Sequence, residues 1–246
     1  MRTVQAVVEA ALAELAGGPV ALVGASRTDA GVHAEGQVAS ARFETRLEPA
    51  VLLRALDAKL PADVAVLALD TAPDDFHARR DACWKRYRYA WWSGRVRSPL
   101  RRGRFARVPG PLDVAAMADA ARHLVGTHDF SCFQLAAAEW HAEAARRGRT
   151  RSATRTLYAA TVRGEAAGEV VLELVGDGFL RGMVRAIAGT LAQVGRGRRA
   201  PESLGELVAA RDRRRAGPTA AAAGLTLVEV GFAPFPGRET PGNSGP

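Results

Sequence analysis

Apolar residues recur at Val4, Val7, Val8, Leu12 and Leu15, spacings that place them on one face of a helix, and the run stops at Gly17-Gly18. A short apolar run over residues 20–23 then predicts a strand. A polar, glycine-bearing stretch spans 24–36, and a second strand is expected over 37–43. Residues 49–60 read as a helix opened by Pro49, and residues 64–69 as a strand. Residues 83–92 carry the clearest strand pattern. Cys83, Lys85, Tyr87, Tyr89 and Trp91 fall on one side at period two, with Trp84, Arg86, Arg88, Ala90 and Trp92 on the other.

The second half repeats the alternation. Residues 112–125 are amphipathic with helical period, and residues 155–162 and 169–175 form a hairpin around Gly164 and Gly168. Helices are expected over 179–194 and 201–210, and a last strand over 225–232. Residues 136–151, rich in Ala and Arg, read as a loose segment, and 234–246, rich in Pro and Gly, as a disordered tail. The cluster Ser93, Gly94, Pro99, Gly103, Pro109, Gly110 and Pro111 marks the expected domain boundary. It gives a first half at 1–98, a second at 99–233 and the tail at 234–246. Helices mixed with hairpins imply an α+β fold with antiparallel sheet.

Composition narrows the partners. The net charge is +8 and the isoelectric point about 10.6, which points to a polyanion such as nucleic acid. Lys59 and Lys85 are the only lysines among 34 basic residues, and the Arg and Ala enrichment is also what a GC-rich genome produces, so charge alone leaves both readings open. Aromatics and cations interleaved along 83–92 suit base stacking and phosphate contact with RNA. Mean hydropathy is −0.08, no apolar run approaches the roughly 20 residues of a membrane span, and the start has no signal-peptide pattern. Cys83 and Cys132 form neither a disulfide framework nor a metal-ligand spacing with any His, and a reduced cytoplasm is the economical setting.

Candidate chemistry concentrates in Gly24-Ala25-Ser26-Arg27-Thr28-Asp29-Ala30-Gly31-Val32-His33-Ala34, a polar loop between two strands. Asp29 is its only carboxylate, and a carboxylate can act as a nucleophile toward a nucleoside. Alone, such a residue reads equally as a turn or a cap. The run closely resembles the nucleophile loop of the tRNA pseudouridine synthase A family. Pro73-Asp74-Asp75-Phe76-His77-Ala78-Arg79, Lys85-Arg86-Tyr87-Arg88-Tyr89, residues 126–133, Phe179-Leu180-Arg181-Gly182-Met183-Val184-Arg185 and Gly224-Leu225-Thr226-Leu227 resemble further family segments in family order.

The resemblance implies isomerisation of uridine to pseudouridine at positions 38, 39 and 40 of tRNA, in the anticodon stem-loop, with no cofactor and no metal. It implies Asp29 as nucleophile, Arg185 in a salt bridge with it, Tyr87 packed against the target base, and Arg27 contacting RNA. It also implies a homodimer, and a pseudouridine synthase fold of two halves with antiparallel or mixed sheets flanking a basic active-site cleft. His33 reads as a packing or hydrogen-bonding residue of the loop. The family pattern begins with one more strand and a tyrosine-bearing loop before the point equivalent to Arg2, so the N-terminal strand is expected to be missing. The alternative reading is therefore a catalytically impaired, truncated RNA-binding homologue. A pseudouridine synthase acting on other RNAs is a further alternative. A metal-dependent hydrolase with an Asp nucleophile is disfavoured, because no metal-binding carboxylates cluster along the chain.

Overall fold

The computed structural model describes residues 2–135, 142, 146, 152–165 and 168–236. Most of the segment 136–151 and residues 237–246 of the expected tail lie outside the described residues. The chain packs into two compact units, the first built from residues 1–27 and 37–82 and the second from 28–36 and 83–246. These bounds differ from the halves expected at 1–98 and 99–233. Residues 83–98 pack with the second unit because the strand that opens them is hydrogen bonded along both edges to strands of that unit.

In the first unit, helix α1 (Val4–Ala16) is capped by the Thr3 hydroxyl, which accepts from Ala6 N at 3.1 Å, and ends on Gly17 at φ 71°. Helix α2 (Pro49–Lys59) packs beside it, with Lys59 Nζ 2.6 Å from Glu14. Strands β1 (Leu22–Gly24) and β3 (Ala39–Ala41) form a two-stranded antiparallel sheet. Glu9 accepts from Leu22 N at 2.9 Å and Gln5 Nε2 donates to Leu22 O at 3.1 Å, so helix side chains satisfy strand backbone. The core is Ala11, Leu12, Val20, Leu52 and Leu56, with Leu22, Phe43, Val66 and Leu69 around it. The expected strand over 64–69 is a correction: Val66 and Leu69 do face the core, but the segment has no strand ladder. An apolar run shows that side chains can be buried; a strand also needs a hydrogen-bonding partner, which the run itself cannot supply.

The second unit is α+β around a seven-stranded mixed sheet. Its strands are β2 (His33–Ala34), β4 (Trp84–Trp92), β5 (Ala106–Arg107), β6 (Gly126–Asp129), β7 (Thr154–Gly164), β8 (Glu169–Gly176) and β9 (Leu225–Gly231), in the order β2-β9-β4-β8-β7-β6. Central β4 runs antiparallel to β8 and β9, and its end pairs in parallel with β5. β2 is parallel to β9, and β7 and β8 form the expected hairpin. Helices α3 (Val114–Arg122), α4 (Met183–Gly195) and α5 (Ser203–Ala210) belong to the same unit. Helix α4 buries nearly every side, so it is a core helix. It begins later than the expected residue 179 because Gly182, at φ 69°, interrupts the helical backbone. Phe235, at the start of the expected tail, stacks on Tyr158 at 5.1 Å and meets Trp84 edge-on at 5.4 Å. No helix among the described residues is long and apolar enough to cross a membrane.

The period-two pattern of β4 resolves into packing and charge pairing. Tyr87, Tyr89 and Trp91 are 5%, 0% and 1% exposed. On the other face Arg86 bridges Glu173 at 2.7 Å and Glu229 at 3.3 Å, and Arg88 meets Glu35 at 2.5 Å. Arg86 thus matches carboxylates on the two adjacent strands, as cross-strand partners do, and Arg88 the carboxylate just past β2, instead of standing free for phosphate.

Helix α4 also closes tightly on the loop at residues 217–222. A Cβ built on Gly189 would lie 1.7 Å from Pro218 O and 2.9 Å from its carbonyl carbon, so backbone would have to move. Gly189→Ala should therefore destabilise the protein by about 1–2 kcal/mol, overpacking outweighing the better helix propensity of alanine. A thermal melt should show Tm lowered by several degrees. A Tm raised by the substitution, as for an unhindered helical glycine, would rule out this contact.

Candidate active site

The site is built on the stretch 28–36, which packs with the second unit. Asp29 opens a tight turn in which Val32 N donates to Asp29 O at 3.1 Å, with Gly31 at φ 79°. A type II turn needs positive φ at that third position, which is why glycine stands there. Beyond the turn, β2 pins the stretch to β9 through the pairs His33–Thr226 and Ala34–Leu227, and Glu35 N donates to Leu227 O at 2.8 Å. Gly36 is required for this approach: a Cβ there would sit 2.2 Å from Val228 O. His33 Nε2 lies 2.5 Å from Gly103 O, so it holds a neighbouring loop and acts as a hydrogen-bonding residue.

Arg185 lies in the first turn of α4, far along the chain from Asp29. Its Nη1 donates to Asp29 Oδ2 at 2.7 Å, while its Nε donates to Ala220 O at 2.8 Å. The two side chains are 36% (Asp29) and 19% (Arg185) exposed, so the pair is partly desolvated and the carboxylate still faces solvent. A rigid guanidinium fork bound at both ends orients the carboxylate while leaving its second oxygen for chemistry.

The acceptor of that second bond is itself fixed. Ala220 N returns a 3.0 Å hydrogen bond to Arg185 O, and Gly217 N donates to the buried Thr190 hydroxyl at 2.9 Å. Tyr89 donates its hydroxyl to Ala221 O at 2.9 Å. Burial pushes the Tyr89 phenol well above its ordinary range, opposed by the nearby Arg185 charge, so it remains a neutral donor. Residues 217–224 thus form a clamp behind Arg185. Sequence reasoning did not find it, because its working groups are backbone carbonyls in an alanine run and carry no side-chain signal.

The other expected site residues are placed separately. Tyr87 sits in the core face of β4 between Leu174 and Leu227, with its ring edge-on to Phe179 at 4.9 Å. Arg27 belongs by packing to the first unit, where its side chain is exposed. The base of its loop is tied within that unit by Ala25 N to Val38 O at 2.8 Å and Gln37 Nε2 to Ser26 O at 2.8 Å. Cys132 is fully buried, its thiol pushed up to about 12 by burial, which makes it inert.

The sequence model of a family described as tRNA pseudouridine synthase matches residues 1–81 and 120–233, which include both members of the Asp29–Arg185 pair. The chain belongs to that family. A tRNA pseudouridine synthase A of Myxococcus xanthus is 41% identical over 242 residues, covering 98% of this chain and 88% of its own length. The protein of that name from Ralstonia nicotianae is 45% identical over 235 residues, covering 94% and 81%, and that from Syntrophotalea carbinolica 43% over 232, covering 94% and 88%. Membership of the tRNA pseudouridine synthases, a family of isomerases, puts the turn that carries Asp29 inside a matched segment, and α4 inside the other.

Proposed function

We propose that this chain isomerises uridine to pseudouridine in the anticodon stem-loop of tRNA, at positions 38 to 40, with Asp29 as nucleophile and without cofactor or metal. The observation that carries the reading is the 2.7 Å contact of Arg185 with Asp29, on a tight turn whose backbone is pinned to the sheet. The reaction breaks the bond from uracil N1 to C1′, turns the base, and joins C5 to C1′. N1 gains a proton and C5 loses one, so the step balances with no oxidant or reductant. Asp29 forms the covalent intermediate, Arg185 holds its carboxylate in position, Tyr87 holds the detached base, and Arg27 contacts the RNA. The resemblance further supports action as a homodimer in the cytoplasm.

The test is release of tritium from C5-labelled uridine in a tRNA transcript, with modified positions mapped afterwards. Release with no added metal or nucleotide, mapping to the anticodon stem-loop, is the expected result. Absence of release, or modification confined to other stems, would overturn the reading. Sedimentation at micromolar protein checks the dimer.

The burial of Tyr87 decides which variant is informative. Tyr87→Ala would open a core cavity costing about 3–5 kcal/mol, which confuses folding with chemistry. Tyr87→Phe keeps the ring against Phe179 and removes only the hydroxyl. It should melt near wild type, bind tRNA normally and turn over roughly 10²-fold more slowly if the hydroxyl moves a proton. Wild-type turnover by Tyr87→Phe would leave the ring a packing role alone.

A further inference from the structure

Residues 93–107 form a strap that carries six arginines and no acidic residue. Its frame is fixed. Ser93 Oγ donates to Gly168 O at 2.7 Å, and Trp92 Nε1 to Val96 O at 2.9 Å. Arg101 pairs with Glu169 at 2.6 Å and lies 4.3 Å from the centre of the Trp92 ring. His33, four residues beyond Asp29, contacts Gly103 O at 2.5 Å and so ties the strap to the stretch that carries the nucleophile.

On this frame Arg95, Arg97, Arg102 and Arg104 are exposed and have no partner among the described residues, unlike the carboxylate-paired Arg86, Arg88 and Arg101. Leu100 stands among them at 94% exposure. Genome bias toward arginine explains neither the lack of acidic residues within 93–107 nor the pairing of the sheet arginines beside four whose side chains have no partner among the described residues. Clustered guanidinium groups fit phosphates, and an aliphatic side chain held out among them fits the face of an unpaired base.

We propose that this strap grips the RNA beside the Asp29 turn, with Arg95, Arg97, Arg102 and Arg104 on the phosphodiester backbone and Leu100 against an unpaired base; the choice of RNA as occupant rests on the function proposed above. Two charge-matched variants test it. One carries R95Q, R97Q, R102Q and R104Q. The other carries R122Q, R163Q, R211Q and R214Q, whose arginines each face a carboxylate in the structure. Affinity for an unmodified tRNA transcript is measured by fluorescence anisotropy across a salt series.

The strap variant should lose about three units from the slope of log affinity against log salt, since each phosphate contact carries roughly 0.7–0.9. The control should lose less than about one unit. In turnover the strap variant should show a raised KM with kcat held at saturating RNA. Leu100→Ser should weaken binding several-fold at every salt concentration with an unchanged slope. Equal slopes for the two fourfold variants, or a wild-type slope for the strap variant, would overturn the proposal. So would a Leu100→Ser protein that dissociates in sedimentation, because the strap would then be a contact between subunits. Wild-type turnover is measured in the same preparation. An inactive wild type would sink the proposed function, while the slopes would still report on the strap.

Discussion

Asp29→Asn is expected to leave a folded protein that binds tRNA normally and turns it over at less than about one thousandth of the wild-type rate, a rise of more than about 4 kcal/mol in the barrier. The amide is nearly isosteric, and its oxygen can still accept from Arg185 Nη1, which donates at 2.7 Å in the native pair. The turn should persist as well. It is closed by backbone, Val32 N to Asp29 O, and pinned by β2 on β9, and none of these bonds uses the carboxylate. What the variant lacks is a nucleophilic oxygen with a full negative charge. The measurements are tritium release, tRNA affinity and a thermal melt on one preparation. Turnover within tenfold of wild type would remove Asp29 from the chemistry. A Tm lowered by many degrees would make its role structural.

Much of this was legible in the sequence, for definite reasons. Helix α1 announced itself by apolar spacing and a terminal glycine, both local features. Strand β4 did the same by period two. Asp29 and Arg185 lie in different segments, and only the family resemblance joined them; no local spacing could, since their contact depends on how α4 and the turn both pack on the sheet.

The rest was written in features that residue identity does not carry. β2 is two residues long and exists only because β9 accepts it. The Ala220 carbonyl that holds Arg185 belongs to an alanine whose side chain takes no part. The arginines of β4 looked like RNA contacts because a sequence shows a charge but not its partner, and Glu35, Glu173 and Glu229 come from other parts of the chain. Residues 64–69 form a short apolar run such as a strand offers, yet an extended segment lying over a core buries apolar side chains equally well.

The double attachment of Arg185 sets the last expectation. Lysine keeps the charge, but its single ammonium on a flexible stem cannot reproduce a planar fork with Nε on Ala220 O and Nη1 on Asp29. Arg185→Lys should therefore lower turnover by about 10²-fold, the scale on which ångström misplacement of a reacting group is felt. Tm should fall modestly, because one partly exposed pair and one neutral acceptor contribute only about 1–2 kcal/mol together.

Combining it with Asp29→Asn distinguishes orientation of the carboxylate from a separate task of the arginine. If Arg185 works by holding Asp29, the double variant is no slower than D29N alone, because nothing remains to be oriented. If the losses multiply, Arg185 also acts on the RNA directly. A cycle measured by single-turnover tritium release separates the two outcomes, and a multiplicative result would require the Asp29–Arg185 contact to be reinterpreted as a resting arrangement from which the guanidinium moves to substrate.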